Sequence, residues 1–180
     1  MDWYLSWVSA SPLQSAAVQF GILGTLGELI SHVLKTRRIG LPCSLLQLAG
    51  RILAWAVLGI VIKYGFTGMK GFVAALNEHN LLPAACMDGL GWAFAVSVFT
   101  NVLFGPQMML FHRVEENLIA RRWTLEGMPR AWFTLIWFWI PAHTVTFSLP
   151  KDYQIGLAAL WSVALGLIMG LTAPKPIAKS

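Results

Sequence analysis

The chain has 180 residues, of which 57% are hydrophobic and only 12% are charged. Soluble domains carry roughly a quarter of charged residues, so this composition excludes an ordinary soluble protein. The formal net charge of +5 would also suit nucleic-acid binding. Multi-pass membrane proteins, however, collect Lys and Arg on one side of the membrane, and we therefore predict no nucleic-acid partner.

The apolar segments are continuous rather than alternating at every second residue, a pattern typical of membrane helices. We predict an all-α, polytopic transmembrane helical bundle that uses residues 1–180 as one domain in a lipid bilayer. The segment 1–11 carries Trp3, Tyr4 and Trp7 and is expected to lie at the membrane interface. Five predicted spans follow, at 12–34, 45–73, 83–111, 131–149 and 153–171, before a tail at 172–180.

Prolines mark the predicted irregularities of these spans. Pro106 should kink the third span and Pro141 should break the fourth, because proline removes a backbone hydrogen bond from a helix. Pro150 lies in the predicted turn before the fifth span, where Asp152 can cap the helix that begins at Tyr153. If 132–171 instead crosses once as a broken helix, the chain has four spans. The polar connection 112–130 is expected to contain a short surface helix.

The distribution of basic residues favours five spans over four. With five spans, ten of the thirteen Lys and Arg residues lie on one side, among them Lys175 and Lys179 of the tail. The positive-inside rule makes this side the cytosol or the matrix. We therefore predict a multi-pass protein of a bacterial inner membrane or an organelle membrane.

Four ionisable residues fall within or at the ends of the predicted spans: Glu28, His32, Lys63 and Asp88. Such residues cost enough to insert that they usually face a bundle interior or a water-filled cavity. Glu28 and His32 lie one turn apart and can pair. A structural ion pair of Glu28 with Lys63 or Arg51 is an equal alternative to a pore lining. Asp88 is better placed to cap the third helix than to line a pore.

Uncharged polar residues extend this set of candidate interior groups. Asn101 lies near the middle of the third span, and His143, Thr144 and Thr146 follow the proline of the fourth. The threonines can satisfy carbonyls that the proline leaves free or line a path. His143 could ligate haem or chlorophyll, but a lone membrane histidine is more often hydrogen-bonded packing.

No pattern in the sequence indicates catalysis or metal binding. Cys43 and Cys86 lie in separate segments without a zinc-type spacing, and small apolar packing is the favoured interpretation of both. Phosphate-binding glycine loops, catalytic triads and paired carboxylates are not recognisable. We predict a protein that is not an enzyme and has no cofactor and no metal.

Two motifs near the ends of the chain resemble a known family. The first is Tyr4-x3-Val8-x3-Pro12 followed by GILGTLGELISHVLKTRR, and the second joins Trp139, Phe147, Pro150 and Tyr153. Between them lie Arg51 at the start of the second span, a glycine-rich run at 65–72, and Asp88. Together these resemble the family that contains the mitochondrial inner-membrane protein Mpv-seventeen and the small peroxisomal membrane protein.

The resemblance implies a pore-like protein that passes small hydrophilic solutes or metabolites and has no catalytic site. The family is usually described with four spans. His143, Thr144 and Thr146 replace its glutamine and asparagine, Gln154 replaces its arginine, and the proline stands one residue away from the family's tryptophan. Because of these departures, the solute preference of the family is not transferred to this chain.

The alternative function is a structural or assembly subunit of a larger membrane complex, next to pigment or haem, and a homo-oligomer is a further option. The two functions predict different interiors. A channel needs a continuous polar path through Glu28, His32, Asn101 and His143, whereas a subunit would bury these residues as closed pairs.

Overall fold

The computed structural model of the chain describes residues 2–171, so the predicted tail 172–180 with Lys175 and Lys179 lies outside the described residues. Every regular element of the described part is helical, and no strand occurs there, which confirms the all-α fold class. The α-helices are α1 (Asp2–Ala10), α2 (Pro12–Thr36), α3 (Leu45–Glu78), α4 (Gly89–Phe99), α5 (Gly105–Ala120), α6 (Met128–Thr134), α7 (Ile140–Ser148) and α8 (Lys151–Leu171).

Four helices are long and apolar enough to cross a membrane: Pro12–Thr36, Leu45–Glu78, Gly89–Ala120 and Lys151–Leu171. Within the most apolar stretch of each, only 22% to 33% of the residues are buried inside the protein. Most of their apolar side chains therefore face outward, which is unfavourable in water and favourable in lipid. These helices confirm the prediction of a multi-pass membrane bundle.

The fourth predicted span is helical but is not among these four. Its helix runs from α6 through a π-helical turn at Leu135–Trp139 into α7. α6 packs on α5 and α7 packs on α4, so this helix runs antiparallel to Gly89–Ala120. The predicted break at Pro141 is wrong, because the helix continues through the proline. Proline lacks the N–H group of a regular helical hydrogen bond, and the wider π-helical turn before it accommodates this loss. A fifth crossing remains a prediction.

The third span also differs from the prediction. A 3₁₀ turn at Ala84–Cys86 precedes it, and the helix then runs without interruption to Ala120 through a π-helical turn at Thr100–Phe104. This turn lies directly before Pro106 and accommodates it. The predicted surface helix within 112–130 is therefore wrong, because residues 112–120 are the last turns of α5.

Two helix boundaries are corrected by a few residues. α3 continues to Glu78 rather than ending at residue 73. α8 begins at Lys151 rather than Tyr153, so Asp152 lies in the first turn and does not cap the helix from outside. A carboxylate in the first turn still favours the helix, because the exposed N–H groups there carry partial positive charge.

Small residues set the close packing of α2 against its two neighbours. A Cβ atom on Gly27 would lie 2.7 Å from the carbonyl oxygen of Ser162 in α8. A Cβ atom on Gly59 in α3 would lie 2.6 Å from the carbonyl oxygen of Ala16. Membrane helices approach closely through such positions. The helices close into a ring, because α2 packs between α3 and α8, α3 packs on α4 and α5, and α7 packs on both α4 and α8.

The N-terminal helix α1 packs against α2 and α8. Its Tyr4 hydroxyl donates a hydrogen bond of 2.8 Å to Oε1 of Gln19, and Val8 is almost fully buried. Burial raises the pKa of Tyr4, so the hydroxyl remains a donor at neutral pH. The segment expected at the interface is therefore an ordered helix that packs on α2 and α8.

Candidate functional site

A cavity of about 430 Å³ lies at the centre of the helix ring. α2, α3, α8 and the two helices with π-helical turns all contribute to its wall. Most of the lining is apolar, as Phe20, Leu58, Phe104, Met108 and Leu165 illustrate. Its volume falls within the range of roughly 300 to 1,000 Å³ that small-molecule sites occupy.

The cavity opens towards the connection between α5 and α6. A second hollow of about 600 Å³ lies there and shares Arg113, Glu116, Gly127 and Arg130 with the cavity. We call this hollow the arginine mouth. Its charged lining residues are four arginines and two glutamates: Arg51, Arg113, Arg122, Arg130, Glu116 and Glu126. The mouth is therefore positively charged.

The deep end of the cavity is closed by a polar layer and then by packed core. The side-chain amide of Asn101 lies 3.1 Å from Nδ1 of His143 and donates a bond of 2.8 Å to the carbonyl oxygen of Ser97. The Phe66 ring packs against the His143 ring, with centroids 5.1 Å apart. Beyond this layer the core residues are each at most 3% exposed: Val73, Ala93, Val96, Phe147 and Ile155.

Several buried polar atoms along this path have no hydrogen-bond partner. Among the described residues there are five such side-chain atoms, and two of them, the Thr100 hydroxyl and the Trp139 indole N–H, belong to residues that line the cavity. Two more are the Nε atoms of Arg51 and Arg113, which line the arginine mouth. Unsatisfied buried groups are rare in native proteins and call for an explanation such as a bound molecule.

A cluster of charged and aromatic side chains joins α2, α3 and α5 beside the mouth. Glu28 accepts a bond of 2.6 Å from Arg51 and one of 2.8 Å from the indole N–H of Trp55. Nε2 of His112 lies 3.8 Å from the same carboxylate, and its ring packs on Trp55 with centroids 4.5 Å apart. We call Glu28, Arg51, Trp55 and His112 the Glu28 cluster.

The cluster corrects the expected pairing of Glu28 with His32. The histidine within salt-bridge distance of Glu28, among the described residues, is His112 rather than His32. The physical reason is the length of α5, which carries His112 into the bundle instead of leaving it in a surface connection. The alternative pairing with Arg51 is the one that the structure shows.

Glu28, His112 and Glu116 also bring three potential metal ligands within 4.8 Å of one another. The guanidinium group of Arg51 already occupies the position beside Glu28 at 2.6 Å. A divalent cation would have to displace this positive charge. These three side chains are therefore better explained as part of an ion-pair network than as the ligands of a metal ion.

Of the eight predicted interior polar residues, only Asn101 and His143 line the cavity. Thr144 and Thr146 donate to the carbonyl oxygens of Ile140 and Ala142, so they satisfy backbone groups near the proline, one of the two roles considered. Lys63 and His32 are half-buried and Asp88 is exposed. Asp88 immediately precedes α4, but its carboxylate makes no capping hydrogen bond.

The residues that carry the family resemblance occupy mainly structural positions. Pro12 begins α2, Tyr4 bonds Gln19, and Arg51 belongs to the Glu28 cluster. Phe147 is 3% exposed in the core. Pro150 and Tyr153 form the turn into α8, where the Tyr153 N–H donates to the Pro150 carbonyl oxygen, and Trp139 lines the cavity.

Sequence reasoning missed several residues of the site, including Thr100, Met108 and Arg113. The sequence does contain a signal for one wall of the site. Spacings of three and four residues place four side chains on one helix face: Asn101, Gly105, Met108 and His112. All four line the cavity. The prediction that the third span ends near residue 111 leaves His112 out of this face.

The fold and the cavity define a class, a multi-pass α-helical membrane protein with an interhelical cavity that opens at one end. No protein-family model, curated protein or solved structure matches the chain. The resemblance to the Mpv-seventeen family therefore stays a prediction.

Proposed function

We propose that this protein binds a small molecule in its interhelical cavity and receives it from the side of the membrane that the arginine mouth faces. The observation that supports this proposal is the continuity of the cavity with the mouth, through the shared residues Arg113 and Arg130. The packed layer at Asn101 and His143 supports a cavity that is closed at its deep end. Such a cavity suits a binding protein, or a transporter in a state that is open to one side.

Passage of small hydrophilic solutes, which the family resemblance implies, is a narrower hypothesis. It requires a continuous polar path, whereas Glu28 is paired with Arg51 and the cavity wall is mainly apolar. Free diffusion of ions along an apolar wall is unfavourable, because a charge would lose its hydration without replacement. We therefore favour a held ligand over an open pore.

A structural or assembly subunit is the second candidate function. The closed Glu28 cluster supports it, since closed pairs are what such a subunit is expected to bury. Purification in a mild detergent separates the candidates. A stoichiometric partner protein would favour the subunit, whereas a protein that purifies alone would favour the binding function.

Cysteine accessibility tests the proposed opening. Met108 lines the cavity, and Leu110 on the same helix is 42% exposed on the outer face. In a background without Cys43 and Cys86, Met108→Cys should react with a membrane-impermeant thiol reagent added on the arginine side. Leu110→Cys should be protected by lipid. Absence of a reaction at Met108→Cys would contradict the proposal, and equal reaction from both sides would indicate a pore.

A further inference from the structure

The positions of the unpaired polar atoms indicate what kind of molecule the cavity accepts. Polar atoms without partners lie at its two ends, at Thr100 and Trp139 in the depth and at Arg51 and Arg113 in the mouth. The wall between them is apolar, with Phe104 and Met108 as examples. A ligand that satisfied this arrangement would be polar at both ends and apolar in the middle.

The mouth selects the charge of the outer end. Arg122 and Arg130 are exposed, and neither makes an ion pair within the described part of the chain. Arg113 pairs with Glu116 through one terminal nitrogen at 2.9 Å, but its Nε atom is unsatisfied. Arginine binds carboxylate and phosphate groups through paired N–H donors. The outer end of the ligand is therefore an anion.

The deep end selects a hydrogen-bond acceptor. The indole N–H of Trp139 can only donate, and the Thr100 hydroxyl can donate as well. Thr100 is 2% exposed, so its hydroxyl does not reach the outer surface of the protein. An uncharged oxygen, such as a hydroxyl, accepts from such donors without the cost of a buried charge.

The helix geometry sets the length of the ligand. Thr100 and Arg113 lie thirteen residues apart on one continuous helix. At a rise of roughly 1.5 Å per residue, the two ends of the site are about 20 Å apart. A single extended hydrocarbon chain fits both this length and the limited cavity volume better than a lipid with two chains.

We propose that the ligand is an elongated single-chain amphiphile, with a carboxylate or phosphate group in the arginine mouth, a hydrocarbon body in the cavity and an oxygen acceptor at Thr100 and Trp139. This inference rests on the proposed function, because it names the ligand class of the same cavity. The anionic group can belong to a free amphiphile or to a membrane lipid, and the two sources differ in how they reach the mouth.

Photolabelling of the full chain in phosphatidylcholine nanodiscs tests the inference. The probe is a palmitic acid analogue with a diazirine on its chain, and labelled peptides are mapped by mass spectrometry. We expect labelling at the segment around Met108, with competition by palmitate but not by hexadecanol. Equal competition by the neutral alcohol would overturn the anionic assignment while leaving the proposed cavity function intact.

Matched arginine variants test the mouth. The double variant Arg122→Gln/Arg130→Gln should weaken palmitate competition at least about tenfold, the loss expected for one or more charge-assisted hydrogen bonds. Arg121→Gln removes a neighbouring exposed charge outside the mouth and should leave competition unchanged. Equal effects of both changes would show that surface charge alone attracts the probe, which would overturn the site.

A terminal hydroxyl tests the deep end. Since ω-hydroxypalmitate carries an oxygen at the far end of its chain, it should compete about fivefold better than palmitate. Thr100→Val should abolish this advantage, so that ω-hydroxypalmitate and palmitate compete equally in the variant. An advantage that persists in Thr100→Val/Trp139→Phe, or that never appears, would overturn the deep acceptor. Loss of labelling when phosphatidylglycerol is added to the nanodiscs would assign the anion to a two-chain lipid and overturn the single-chain ligand.

Discussion

Individual ion pairs hold three helices of this bundle together where they meet the mouth. Glu28 and Arg51 have side chains that are 19% and 25% exposed, so water screens their interaction only in part. In such an environment the removal of one partner leaves an uncompensated charge, which costs far more than the pair contributes. The Glu28 cluster is therefore most sensitive to changes that leave one charge alone.

Arg51→Met should lower the free energy of unfolding by about 3 kcal/mol, because Glu28 then loses its closest cationic partner and keeps only His112, at 3.8 Å. The double variant Glu28→Gln/Arg51→Met should lose less than Arg51→Met, since no unpaired carboxylate remains. Arg38→Met removes an exposed charge outside the cluster and serves as the control. Unfolding by SDS in mixed micelles measures each change. Equal losses in the single and double variants would refute the role of the pair.

The sequence indicates several of the polar groups inside the bundle but not the full set of their partners. Glu28 was recognisable as a group that requires a partner, because charges inside an apolar chain require compensation, but Arg51 was only one of the candidates beside Lys63 and His32. His112 and Trp55 could not be assigned to Glu28, because they come from helices whose relative rotation depends on packing over the whole ring. The unpaired atoms of Thr100 and Trp139 are likewise a property of the assembled cavity and leave no trace in composition.

Helix elements pack in this protein through glycines that face a neighbouring backbone, whereas other glycines of the same helix face open space. Gly59 in α3 meets Ala16 of α2, and a Cβ atom there would lie 2.6 Å from its carbonyl oxygen. Gly68 of α3 has no atom within 4 Å of the same position. A comparison of Gly59 with Gly68 therefore distinguishes the effect of helix packing from the intrinsic effect of glycine on helix stability.

Gly59→Leu should separate α2 from α3 and sharply reduce the fraction of monodisperse protein after detergent extraction. Gly68→Leu should be tolerated, because leucine favours a helix and meets no neighbour there. Size-exclusion chromatography of both variants, followed by fluorescence, measures the difference. If both variants elute like the unchanged protein, the close approach of the two helices is incorrect.

The elements themselves were largely predictable, because runs of apolar residues of this length have few alternatives to a helix. The first two predicted spans, 12–34 and 45–73, lie within α2 and α3. The helix irregularities were not predictable. Pro106 and Pro141 each follow a π-helical turn, and the helix continues through Pro141 without the predicted break, since such a turn depends on how neighbouring helices hold the chain on either side.

The whole molecule is a ring in which the helix 128–148 returns the chain across the bundle. Its antiparallel packing on Gly89–Ala120 places the turn before α8 at the end opposite the arginine mouth. Sequence hydropathy alone left the choice between four and five crossings open. Contacts such as the Ser97 hydroxyl bond of 2.7 Å to the Ile140 carbonyl oxygen hold the helix 128–148 beside Gly89–Ala120, and its crossing of the membrane remains a prediction.

Sidedness of labelling tests this arrangement. In a background without native cysteines, Lys151→Cys and Asn80→Cys should react with an impermeant reagent from one side of the membrane. Trp123→Cys, which replaces a residue that is 68% exposed, should react from the other side. Reaction of Lys151→Cys and Trp123→Cys from the same side would mean that 128–148 does not cross the membrane.

The proposed cavity holds a molecule behind a closed layer and does not conduct solutes. Release of radiolabelled sucrose from proteoliposomes tests it most directly, with incorporation of the protein verified by flotation. The closed deep end at Asn101 and His143 predicts that these vesicles retain sucrose as long as protein-free vesicles do. Rapid release that rises with the amount of incorporated protein would contradict the claim and favour a pore for hydrophilic solutes.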